Sequence, residues 1–122
     1  MFDHQKLIVY QKSVDFAAWT YQTVRSLRGD DRHIKDQILR SSQSVPLNIA
    51  EGNGCMTRAD RKKYFRIARS SALESSAAID VILACGRITE EGALIGMEKL
   101  LPIVKILSKM SDVGKGNPLA RE

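Results

Sequence analysis

Cysteine, histidine, proline and aromatic residues are all scarce in this chain of 122 residues. Two cysteines, Cys55 and Cys85, cannot make a disulfide framework, and their spacing matches neither C-x-x-C nor a zinc pattern. Both are expected to be free thiols, and Cys85, at the end of the apolar run from Val81, suits a small buried hydrophobe. Two histidines, His4 and His33, with no Glu-x-x-His pair, leave out the usual means of building a metal site in a helical bundle. No apolar run approaches the roughly 18–20 residues of a membrane span. The opening segment has Asp3 and only a short apolar run, unlike a secretory signal. A cytoplasmic protein without membrane contact is expected. Strand alternation is absent too, and the three prolines leave helical periodicity to dominate.

What is present is the balance of a folded domain, with 43% hydrophobic and 27% charged residues. The length suits one domain that buries about two-thirds of its unfolded surface. Four helices are expected, over about 6–28, 31–52, 57–87 and 89–111, and they make an all-α, antiparallel up-down-up-down bundle over 1–111. A flexible tail is expected over 112–122. The first helix carries two apolar stripes: Tyr10, Val14, Ala17, Tyr21 and Val24, then Val9, Phe16, Thr20 and Leu27. Two stripes point to burial on two sides, as in an oligomer; a wide core face is the alternative. Asp30 or Asp31 is expected to cap the second helix, Pro46 to kink it, and Gly52 and Gly54 to end it. Thr57 with Asp60 reads as the start of the third helix. Its inward face is expected to hold Tyr64, Ala68, Ser71, Ala72, Ser75, Ile79 and Ile82, with Phe65 also reading as core. Glu90 and Glu91 suit the start of the fourth helix, and Pro102 is expected to bend it.

Positive charge is in excess, at a net +5, and it is concentrated. Arg58, Arg61, Lys62, Lys63, Arg66 and Arg69 fall within twelve residues that hold a single acid, Asp60. On a helix, Arg58, Lys62, Arg66 and Arg69 share an arc of about 80°. Like charges at this spacing repel, so the stripe asks for a polyanionic partner, and phosphates two or three turns apart fit it. A solvated outer face is the alternative. No serine stands in a nucleophile-elbow context, and Gly52-Asn53-Gly54 and Gly114-Lys115-Gly116 complete no phosphate loop. Neither catalytic residues nor a cofactor is expected, and the protein does not read as an enzyme. Ser44, Asn48 and Glu51 flank the apolar stripe of the second helix. They are expected to form an interhelical polar network with Arg69, Ser70, Ser71 and Glu74 rather than a binding site.

The run from Ser44 through Val45-Pro46-Leu47-Asn48-Ile49-Ala50-Glu51 to Gly52 resembles the S-[IV]-P-x-N-I-A-E-G motif of the 23S rRNA intervening-sequence protein family. The segments Leu7–Lys12, Gln37–Ser42 and Tyr64–Glu74 resemble further parts of that family in the same order, with Ser70 where the family usually has glycine. The resemblance makes Ser44, Pro46, Asn48, Glu51, Gly52, Ser71 and Glu74 motif positions of structural weight. It implies a bacterial four-helix bundle that assembles as a ring-like homopentamer, many of whose relatives are encoded within 23S rRNA genes. Their role is largely unassigned. The fold it implies is also similar to that of the accessory protein of diversity-generating retroelements, a basic pentamer that binds nucleic acid. The expected function is therefore non-enzymatic binding of RNA or DNA through backbone phosphates, with Arg58, Arg61, Lys62, Lys63, Arg66 and Arg69 as the contact residues. A protein–protein scaffold without nucleic acid is the alternative.

Overall fold

The computed structural model describes residues 1–112, and their regular structure is helical throughout. Four α-helices follow one another: α1 (Ile8–Val24), α2 (Arg32–Gly54), α3 (Arg58–Ala84) and α4 (Glu90–Met110). Short 3-10 turns precede α1, at Asp3–Lys6, and α2, at Gly29–Asp31. The expected tail lies outside the described residues apart from Asp112. Each helix packs on the next and α4 packs back on α1, while the diagonal pairs do not meet. Helix α2 pairs most extensively with α3. The enclosed core is built from Phe16 and Val24 of α1, Ile38, Val45 and Ile49 of α2, Phe65, Ile79 and Ile82 of α3, and Leu100, Ile103 and Leu107 of α4. Both Pro46 and Pro102 lie inside continuous helices.

The two stripes of α1 are buried unequally, and Val24 of the first joins the second in the core. Val9, Phe16 and Thr20 face the core, whereas Val14 and Tyr21 are exposed and Tyr10 and Ala17 half-buried. Thr20 tolerates full burial because its hydroxyl donates to the Phe16 carbonyl at 2.9 Å. On α3 the inward face carries Phe65, Ala68, Ala72, Ser75, Ile79 and Ile82, while Tyr64 sits half-buried at its margin. Phe65 is thus core, as its apolar ring requires.

The helix ends correct several expectations. Gly52 does not end α2: it lies buried inside it, and the helix runs to Gly54, after which Cys55 turns to extended backbone. Asp31 stands at the start of α2 without capping it through its side chain. Its carboxylate instead meets Arg87 Nε at 3.0 Å, joining the α1–α2 turn to the α3–α4 turn. Thr57 and Thr89 cap α3 and α4 by accepting from the N–H groups of Asp60 and Gly92, at 3.1 and 3.0 Å. Helix α3 stops at Ala84 because Gly86 takes a left-handed φ of 73°. The Arg87 N–H then reaches the Ile82 carbonyl and the Gly86 N–H the Leu83 carbonyl, a Schellman closure. Cys85 is caught in that closing turn and is exposed rather than buried. Among the described residues both cysteines are free.

Candidate nucleic-acid interface

The basic stripe begins at the residue after the Thr57 cap and lies along the seam between α3 and α4, not on the outermost line of α3. The reason is angular: Phe65, Ala68 and Ala72 point inward, and Arg58, Lys62 and Arg69 are then turned toward α4. Three of the six cations are engaged by the fold. Arg61 is half-buried and donates to the Asn53 and Cys55 carbonyls at 2.9 and 3.5 Å, closing the exposed C-terminal end of α2. Arg69 donates through Nε to Ser108 Oγ of α4 at 2.8 Å. Lys62 pairs with Asp112, just past the end of α4. Arg58 stands 3.8 Å from the same carboxylate but remains 83% exposed. Lys63 lies over the Tyr64 ring, 5.7 Å from its centroid, and Arg66 points outward with no partner among the described residues. The surface cations of α3 are therefore Arg58, Lys63 and Arg66.

The pairing of α3 with α4 adds a residue that the arc on one helix could not reveal. Lys105 is exposed one turn before Ser108, the residue that receives Arg69, so the seam carries positive charge from both helices. Toward its other end the same seam turns apolar, with Leu73 and Ser76 of α3 beside Met97, Leu101 and Val104 of α4. Leu101 is 56% exposed.

The expected polar network exists with Ser44, Asn48 and Ser71, but without its charged members. Ser71 donates to Ser44 Oγ at 2.9 Å, and Asn48 Nδ2 donates to the Ser44 hydroxyl and carbonyl at 2.9 and 2.8 Å. One layer further, the fully buried Ser75 shares a hydrogen bond of 2.8 Å with Ser41, and Ser75 also donates to the Ser71 carbonyl. All four serines are small enough to let α2 and α3 approach closely. The charged candidates stand outside the network. Glu51 is exposed, Glu74 rims a shallow groove with Ile34, Gln37 and Val81, and Ser70 faces outward, so a glycine is not needed there for helix contact. Their carboxylates need water, and a seam of hydroxyls offers no cation to replace it. Pro46 is buried in the seam between α1 and α2, beside Tyr10, Val14 and Ala17. Gly52 admits Phe65: a Cβ there would lie 2.8 Å from the ring and 3.1 Å from the Arg61 carbonyl oxygen.

Ser44, Pro46, Asn48, Gly52 and Ser71 thus have definite packing tasks, and Glu51 and Glu74 stay at the surface. The model of the 23S rRNA-intervening sequence protein family matches residues 5–109. The chain belongs to that family. Among solved structures, it is similar to a protein of unknown function from the S23 ribosomal protein family of Bacteroides thetaiotaomicron, with a TM-score of 0.78 and 25% identity. That likeness covers 87% of this chain and the whole of the other. No curated protein matches the chain. The family assignment agrees with the four helices; the chemistry of the basic face rests on its own residues.

Proposed function

We propose that this family member is a non-enzymatic nucleic-acid-binding protein whose α3–α4 seam grips RNA or DNA by its phosphates. The observation that carries this reading is the set of surface cations Arg58, Arg66 and Lys105 along a seam already charged by Lys62 and Arg69, with Lys63 beyond it on the outer face of α3. Such contacts position a backbone and carry no base readout. The test is a titration against a fluorescent structured RNA and a duplex DNA across a salt series. Affinity is expected to fall linearly with salt on logarithmic axes. Arg66→Glu with Lys105→Glu should flatten the slope by about 1.4–1.8, the value of two lost phosphate contacts. An unchanged slope removes the patch from the reading, and no binding at low salt, where attraction is strongest, overturns it.

The same reading includes assembly of antiparallel up-down-up-down bundles into a ring. Contacts that pair Ser44 with Ser71 and Ser41 with Ser75, and Asp15 with Lys99 and Trp19 with Gly96, support the alternation, because numbers rise along one helix as they fall along its neighbour. Two uncharged strips support the ring. One holds Tyr10, Val14, Ala17 and Leu47 on the α1–α2 edge; the other holds Leu73, Met97 and Leu101 on the α3–α4 edge. These edges are opposite sides of a four-helix square, and pairing unlike patches head to tail closes a ring when the rotation allows. Five is the number of copies that the resemblance implies. Light scattering is expected to give about five times the 13.6 kDa of one chain. Leu47→Glu and Leu101→Glu should each release monomers, and a wild-type mass in both variants would sink the arrangement. The scaffold reading draws on the exposed leucines of the second strip; capture of a protein partner that survives nuclease treatment, without salt-sensitive nucleic-acid binding, would favour it.

A further inference from the structure

Resting on the phosphate-contact reading, we propose that Asp112 is a built-in competitor for the phosphate site: its carboxylate occupies the position a phosphate would take between Lys62 and Arg58. The placement of this residue is costly on two local grounds. It follows the Ser111 C-cap of α4 with a left-handed φ of 58°, a conformation in which glycine is the usual residue. It also sets a negative charge at the negative end of the helix dipole. A glycine would avoid both costs. The aspartate adds a contact with Lys62, joined by Arg58 at 3.8 Å.

The surroundings hold the carboxylate in place. Ser111 is fully buried, its hydroxyl donating to the Leu107 carbonyl at 2.6 Å, and the Asp112 N–H reaches the Lys109 carbonyl at 3.3 Å. Lys62 and Asp112 are only 24% and 22% exposed at their side chains, so the pair sits within the seam. Arg58 lies at its mouth and keeps most of its surface free. A phosphate approaching the seam meets Arg58 first, and must displace Asp112 to reach Lys62. The displaced carboxylate enters water, and the lysine exchanges one oxyanion for another. No bond forms or breaks. The contact thus raises the affinity threshold for phosphate and favours polyanions able to engage several copies of the seam.

The test uses the full chain with two substitutions that suit a left-handed residue, Asp112→Asn and Asp112→Gly, and Asp36→Asn on the exposed side of α2 as a control for net charge. The probes are a fluorescent RNA hairpin and a duplex DNA, each titrated across a salt series. Both Asp112 variants should bind more than about threefold tighter at 0.1 M salt. They should also steepen the logarithmic salt slope by about 0.7–0.9 for each lysine released to a phosphate. Asp36→Asn should leave the slope unchanged. Binding by the variants at salt concentrations where the wild type has already released the probe supports the competitor outright. Asp112 variants that behave as Asp36→Asn overturn the competitor and leave the phosphate reading standing. Absence of binding by wild type and variants alike overturns both.

Discussion

Gly52→Val is expected to lower the melting temperature by about 10–15 °C, measured at fixed protein concentration. Gly52 is buried in the last part of α2, where α3 begins its course across it. Even a Cβ would stand 2.8 Å from Phe65 Cε1, 2.9 Å from Cδ1 and 3.1 Å from the Arg61 carbonyl oxygen. The Phe65 ring is 4% exposed and is enclosed by the core, so it has no open side to swing into. The Arg61 carbonyl belongs to the backbone of α3 and moves only with the helix. Overpacking of this kind costs about 2–3 kcal/mol, which for a domain of this size is the stated fall in melting temperature. Phe65→Leu should recover part of the loss by removing the ring edge. It cannot recover all of it, because the carbonyl remains. Full recovery in the double variant would mean that the ring alone sets the distance between α2 and α3; no loss in the single variant would mean that this end of the bundle is looser than its geometry.

That close approach was only half legible in the sequence. The helical repeat marked four amphipathic segments, and Thr57, Thr89 and the acidic first turn of α4 marked two of their starts. These are local signals, carried within one or two turns. Gly52 was misread as a stop because glycine is common past helix ends; what it does instead depends on a residue thirteen positions away on another helix. The basic stripe shows the same limit. Its arc on α3 was correct, but the arc says nothing about which neighbour lies beside it. Arg61 turned out to serve the α2 carbonyls, Arg69 to serve Ser108, and Lys62 to meet Asp112. A charged side chain several bonds long reaches across a seam, so its task is set by the partner helix. Glu51 and Glu74 were misassigned for the converse reason: their positions flank the serine network, yet an ionised carboxylate gains more from water than from hydroxyls. Cys85 was read from its apolar neighbours, whereas the left-handed Gly86 that follows ends the helix and leaves it exposed.

The other close approach, between α1 and α4, should respond differently to substitution. A Cβ at Gly96 would lie 2.5 Å from Trp19 Cη2, 2.8 Å from Trp19 Cζ3 and 2.8 Å from Ile79 Cδ1. All three are side-chain atoms. Gly96→Val is expected to cost about 2–3 kcal/mol by driving the indole from its place beside Phe16, whose ring centroid lies 5.8 Å away. Trp19 is the only tryptophan in the chain, so its emission reports the displacement directly. A shift to longer wavelength should accompany the lower melting temperature. Trp19→Phe removes the outer ring atoms that make the clash. In that background Gly96→Ala should turn from destabilising to neutral or stabilising, because alanine is worth up to about 1 kcal/mol over glycine inside a helix. A cycle of the four variants by thermal melting reads this change of sign as a coupling energy. Additive effects would show that Ile79, not Trp19, enforces the glycine, and Ile79→Val should then restore what Trp19→Phe does not.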